Sequence, residues 1–159
     1  MSDDHATRTE SDEAALGRIE TEVALLMRLG EATRRATGSA EHRVLDRAAY
    51  VILRHLDASG PQNVSALAAR LNLDGSTVTR QVSALQRDGL IARAPDPADG
   101  RGTVISPTPA GLHRMAAVRA ARTRLYGDIL ADWTPTDRDT LATLLTRLNH
   151  ALDSRTRRR

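Results

Sequence analysis

Ser76, Thr77, Thr79 and Arg80 stand together in the run GSTVTRQV, with Gln81 beside them. Hydroxyls, an amide and a guanidinium at this density suit hydrogen bonding to phosphate oxygens and to base edges. Further along, Arg93 precedes the loop PDPADGRG, which holds Asp99 and Arg101. An arginine at a loop tip can enter a minor groove, where negative potential attracts it. Asp99 would face phosphates there, so its expected job is to hold Arg101 or the loop backbone through charge-assisted hydrogen bonds. Arg93, at the base of the loop, suits a phosphate contact. Catalysis has no comparable set. No nucleophile–base pair or phosphate-binding glycine loop is visible. There is no cysteine, so no disulfide framework or thiol switch is available. His5, His42, His55, His113 and His150 lack the HxxxH or HxH spacing of zinc ligands. No enzyme, metal or cofactor is expected.

Two helices and a hairpin are needed to position those residues. In PQNVSALAARLNLDGSTVTRQVSALQRDGLI, Ser65 can cap a first helix with Leu67, Ala68 and Leu71 inward, and small Ala68 and Ala69 would permit a close crossing. A turn over 71–75 follows, and Ser76 or Asp74 can cap the second helix. At 100° per residue Val78, Val82 and Leu85 share one face, while Ser76, Thr77, Arg80, Ser83, Ala84 and Arg87 share the other; Thr79 and Gln81 flank Arg80. Gly89 suits the position just past the helix end. Strands over 91–94 and 103–106 would then enclose the loop. The order predicts a helix-turn-helix with a β-wing over residues 61–107. Such a module places one helix in the major groove of double-stranded DNA, with Arg80 at a base edge or a central phosphate.

The flanking chain reads as scaffold. Residues 1–11 lack apolar periodicity and are expected to be disordered. A helix from about Asp12 carries Leu16, Ile19, Val23 and Leu26, and fades near Gly38. A second, from about Glu41 to Ala58, would bury Val44, Leu45, Ala48, Val51, Ile52 and Leu56. Thr108-Pro109 and Thr134-Pro135 each place a hydroxyl at the N-cap and proline at the first helical position. The first of these helices passes through Leu112, Met115, Leu125 and Ile129 to about Asp132; the second carries Leu141, Leu144, Leu145, Leu148 and Leu152. The fold class expected is mainly α, about six helices and a small β hairpin. Helical regions 12–60 and 108–153 would dimerise the chain around the central module, and 154–159 is a basic tail. Strong apolar faces without catalytic residues favour an intertwined homodimer, whose two-fold symmetry matches a palindromic site.

Composition agrees. With no Phe, two Tyr and one Trp, the core must come from aliphatic side chains in close-packed helices. All 23 basic residues are arginine, as in the Arg- and Ala-rich usage of a GC-rich coding sequence. Residues 1–31 carry eight acids against three arginines and residues 106–159 ten arginines against five acids, while 61–105 carries five arginines against four aspartates. A basic surface on the central module must therefore come from arrangement rather than from total charge. No apolar run approaches the roughly 20 residues of a membrane span, and the acidic start is no signal peptide, so a cytoplasmic location is expected.

The run VSALAARLNLDGSTVTRQVSALQRDGLIAR, the DPADGR wing and the TPAG helix start resemble the MarR (multiple antibiotic resistance regulator) family of transcription factors, over about residues 13–152. The resemblance implies a homodimer joined through its N- and C-terminal helices. It implies binding to a pseudo-palindromic operator, usually as a repressor, and release when a small phenolic or anionic effector binds. It assigns major-groove contact to Ser76, Thr77, Thr79 and Arg80, and minor-groove contact to Arg101 with Asp99 in support. Gly102 stands where the family's wing often carries a second arginine, so a weaker or more flexible minor-groove grip is expected here. The reactive cysteine of the peroxide-sensing branch and the first-helix tryptophan of the urate-responsive branch are both absent.

The resemblance also implies an effector cavity between the dimer helices and the winged module, lined from helices one, two and five. Its expected polar lining here is His42, Arg43, Tyr50, Arg54 and His55. Trp133, before a helix start, is expected to be a packing anchor at the dimer interface. The competing function is a winged-helix protein-interaction module that has lost sequence-specific DNA binding. The near-neutral charge of the module favours that reading, and retention of Arg80 and Arg101 opposes it.

Overall fold

A computed structural model describes residues 3–36, 45–97, 100 and 102–156. The chain folds as two compact units, 1–43 and 44–159.

Among the described residues the first unit is the helix α1 (Asp3–Ala36). It begins nine residues before the expected start at Asp12. The segment 3–14 contains no proline or glycine, so helix propensity prevails without an apolar stripe. Leu16, Ile19, Leu26 and Met27 are all more than half exposed.

The second unit runs α2 (Arg47–Ser59), α3 (Val64–Leu71), α4 (Gly75–Arg87), β1 (Ile91–Pro95), β2 (Thr103–Pro107), α5 (Pro109–Ile129) and α6 (Pro135–Thr156). Asp46 starts α2 by accepting the Ala49 N–H at 2.7 Å, so the helix begins six residues later than Glu41, whose own surroundings lie outside the described residues. α3 is capped by Asn63, not Ser65: the Asn63 side chain accepts from the Ala66 N–H at 2.7 Å. It closes on Asn72, which takes the left-handed conformation (φ 51°) that asparagine tolerates. β1 and β2 pair antiparallel with Ile91 opposite Pro107, and Gln62 adds a single bridge to Ile105.

The core is aliphatic. Ile52, Leu53 and Leu56 of α2 meet Leu67 and Ala68 of α3, Val78, Val82 and Leu85 of α4, Leu90, Ile91, Ile105, and Val118 of α5. The expected inner face of α4 is thus borne out. Three other expectations are corrected. Val51 is exposed and Leu53 is buried in its stead, because the covered flank of α2 is the one facing α5 and β2. Ala69 is exposed, so Ala68 alone supplies the small contact on α3. On α5, Val118 is the buried aliphatic, while Ile129 is exposed.

α5 is fixed to the module at its first turn. Thr108 caps it through the Gly111 N–H, and the same hydroxyl donates to the Gly89 carbonyl at 2.7 Å. The Thr108 N–H donates to the Leu90 carbonyl. At Gly111 a Cβ would come 2.1 Å from the Leu90 oxygen, a separation no side chain survives. Glycine is required there for close approach. α6 differs in kind, since none of its 22 residues is buried.

Candidate nucleic-acid interface

The exposed side of α4 begins with its cap. Asp74 accepts from the Ser76 hydroxyl at 2.6 Å and from the Thr77 N–H at 2.9 Å. These bonds, led by that from Ser76, stabilise the carboxylate and hold Asp74 well below the usual carboxylate range. Of the two caps the sequence allows, Asp74 is the one used, and Ser76 is a helical residue beside it. Thr79 donates to the Gly75 carbonyl at 2.7 Å, which pins its methyl and hydroxyl against the first turn. Ser76, Thr79, Arg80, Ser83 and Arg87 are exposed or nearly so, and Thr77 and Ala84 are half-buried. Arg80 therefore rises from a surface of small side chains, opposite Val78, Val82 and Leu85. A helix of that cross-section can approach a groove floor with the guanidinium leading.

Gln81 departs from expectation. It is half-buried, and its Oε1 is enclosed without a hydrogen-bond partner among the described residues, so this oxygen is not offered on the exposed face. Arg93 is exposed on β1, but its Nε donates to Gln86 Oε1 at 2.7 Å. Gln86 carries no signal in the sequence, because the contact exists only once β1 folds back alongside the end of α4. Gly89 (φ 71°) permits that reversal. The wing is closed by Asp96 N–H to the Gly102 carbonyl (2.9 Å) and Gly100 N–H to the Asp96 carbonyl (2.7 Å). Asp99 and Arg101 lie outside the described residues.

A second feature lies between α2 and α5. A cavity of about 400 Å³ is lined by Tyr50, Arg54 and Asp57 on one side and by Leu112, Met115 and Arg119 on the other. The Arg122 guanidinium sits 4.5 Å from the centroid of the Tyr50 ring. Tyr50 and Arg54 thus line one cavity, with Arg119 as a further cation that no local pattern marks. His55 is not in the lining; it is half-buried and its Nε2 is enclosed without a partner among the described residues. His42 and Arg43 lie outside the described residues. Trp133 is exposed at the corner between α5 and α6. Among the described residues no group of three or more His, Asp or Glu is placed to hold a metal ion, and no helix is long and apolar enough to cross a membrane.

Known proteins share this arrangement. The MarR family model matches residues 45–103, from the start of α2 to the wing. The uncharacterized HTH-type transcriptional regulator YxaD of Bacillus subtilis (strain 168) is 37% identical over 107 residues, covering 67% of this chain and 75% of that protein. A MarR protein from Peptoclostridium difficile superposes with a TM-score of 0.67 at 19% identity, over 87% of this chain and 89% of that one. The PcaV transcriptional regulator of Streptomyces coelicolor, solved in complex with its natural ligand, superposes with a TM-score of 0.60 at 27% identity, over 80% of this chain and 91% of that one. With the helix-turn-helix, the wing and the flanking helices in the same order, the chain belongs to the MarR family of winged-helix, DNA-binding transcription regulators rather than to any class of enzyme.

Proposed function

We propose that the chain is an effector-responsive repressor that binds a pseudo-palindromic operator as a homodimer. The observation that carries the reading is the face of α4 on which Arg80 stands among Ser76, Thr79 and Ser83, back to back with a fully buried aliphatic face. Rotation of the helix about its axis would expose Val78 and Val82, so the core holds the Arg80 side outward, which supports its meeting DNA. In this reading Ser76, Thr77, Thr79 and Arg80 enter the major groove, Arg93 meets a phosphate, and Arg101, supported by Asp99, reaches the minor groove. α6, whose Leu144 and Leu152 are each more than half exposed in the single chain, supports the homodimer.

The effector is a small aromatic or otherwise apolar anion held between α2 and α5. Arg54 and Arg119 supply charge, and Tyr50, Leu112 and Met115 supply apolar wall. The cavity volume falls in the range of small-molecule sites. A route to the DNA face exists in the first turn of α5. Leu112 and Met115 touch the cavity, while Thr108 and Gly111 grip Gly89 and Leu90 directly after the recognition helix. Any ligand that shifts α5 must therefore shift the joint between α4 and the wing.

The test is binding of the purified protein, by fluorescence anisotropy across a salt series, to DNA upstream of its own gene and to random DNA. Selective binding with a steep salt slope is expected, because each neutralised phosphate releases counterions. Arg80→Ala should cost about 1–3 kcal/mol on the operator and far less on random DNA. Equal affinity of wild type and Arg80→Ala for the operator would sink the docking assignment.

A further inference from the structure

At the corner between α5 and α6 an open groove of about 410 Å³ is lined by Asp132, Trp133, Asp137, Thr140, Leu141 and Leu144. Its character is an indole and two leucines under an acidic rim. Residues 132–139 hold Asp132, Asp137 and Asp139 against one cation, Arg138. That cation is already engaged, donating to the carbonyls of Leu130 (2.7 Å) and Ala131 (3.1 Å). The opposite end of α6 carries Arg155 and then Arg157, Arg158 and Arg159. The groove and the arginines are complementary, but one chain cannot join them. The 22 residues of α6 span about 33 Å, and three further residues reach at most about 11 Å even when fully extended.

A second copy can. The stripe Leu141, Leu144, Leu145, Leu148 and Leu152 is continuous with the groove through Leu141 and Leu144. Laid antiparallel on itself, it sets Leu141 beside Leu152 and Leu145 beside Leu148. The same register carries Arg155, in the last turn of α6, to the level of Asp137, and the sequence continues from there as Thr-Arg-Arg-Arg. A parallel pairing would instead set arginines against arginines. Guanidinium groups bind carboxylates through a two-pronged fork and stack on indole faces, so this groove offers both of their preferred partners.

We propose that the arginine-rich end of a second copy of this chain seats in the Trp133 groove, latching an antiparallel pair of α6 helices. The inference rests on the homodimer proposed above and adds a defined contact to it. Trp133 is the only tryptophan, so its emission reads the groove directly. Replacing all four arginines (R155S, R157S, R158S and R159S) should leave a dimer by light scattering, held by the leucines. It should also shift Trp133 emission to the red and raise its quenching by acrylamide. Added salt should move wild-type emission the same way by screening the exposed pairs. The chain has no cysteine, so D132C and R157C on separate chains should form a disulfide-linked dimer when mixed and oxidised. A dimer whose Trp133 ignores both the arginines and salt, and whose cysteines fail to link, would overturn the latch and leave the homodimer standing. A monomeric wild type would overturn both. Lost DNA affinity in the four-fold variant with unchanged Trp133 emission would assign the arginines to DNA and overturn the latch.

Discussion

Arg93 Nε donates a 2.7 Å hydrogen bond to Gln86 Oε1, joining the first strand of the wing to the last turn of the recognition helix. The two residues are seven apart in sequence, and Gly89 makes the reversal that brings them together. The bond fixes where the Arg93 charge stands relative to α4, and it restrains the hairpin that carries Arg101.

Gln86→Ala should therefore loosen the wing without emptying the core. The loss of one exposed hydrogen bond is worth about 0.5–1.5 kcal/mol at most, so the melting temperature should scarcely move. DNA affinity should fall by a similar factor on operator and random sequence if Arg93 meets a phosphate as proposed, since no base contact is then lost. Anisotropy on both DNAs checks this; a defect confined to the operator would place Gln86 in base recognition instead.

Gly111→Ala should be among the most damaging single-methyl additions. The new Cβ would meet the Leu90 carbonyl oxygen at 2.1 Å, and backbone must retreat. Overpacking of this sort costs about 1–3 kcal/mol or more. Denaturant unfolding should show the loss, and operator binding should weaken beyond it because the α5 clamp on Gly89 and Leu90 is opened. Wild-type stability in this variant would mean that α5 is free to slide.

Asp74 gives the recognition helix an acid-sensitive start. Its pKa in the folded chain lies below the ordinary 3.8, so its stabilising contribution is complete above that value and is lost as pH falls toward the lower folded-state value. Asp74→Asn keeps a capping oxygen that does not titrate. The stability gap between wild type and Asp74→Asn should narrow steadily as pH is lowered below 3.8 in thermal melts. A gap that is constant with pH would show that the Ser76 and Thr77 bonds do not favour the charged form.

Arg54→Ala and Arg119→Ala should each weaken binding of a benzoate-type probe by about ten- to a hundredfold, as expected for a hydrogen bond to a charged group of about 1.5–3 kcal/mol. Both residues stand apart from the α4 face, so DNA affinity without the probe should stay near wild type. Calorimetry with the probe and anisotropy without it separate the two effects. Probe binding that is indifferent to both arginines would move the effector site elsewhere.

The sequence by itself determined the elements whose signals are local. The 100° spacing of Val78, Val82 and Leu85 named the inner face of α4, and with it the outer one. Thr108-Pro109 and Thr134-Pro135 marked two helix starts to the residue, each set by a hydroxyl cap and a proline with no N–H to waste. The order of helix, turn, helix and hairpin then sufficed for the family. Tertiary structure decided what depends on chain folded from far away. Asn63 displaces Ser65 as the cap of α3 because Gln62 is held extended by its two hydrogen bonds to Ile105, some forty residues on, so the helix must start directly afterwards. Leu53 displaces Val51 in the core because periodicity gives the centre of a stripe at Ile52, and only the neighbours of α2 choose which flank is covered. Arg119 joins Arg54 across the cavity, and Gln86 holds Arg93, through pairings that no window of sequence contains. Burial against a distant element is a property of the packed chain, and a helical period cannot encode it.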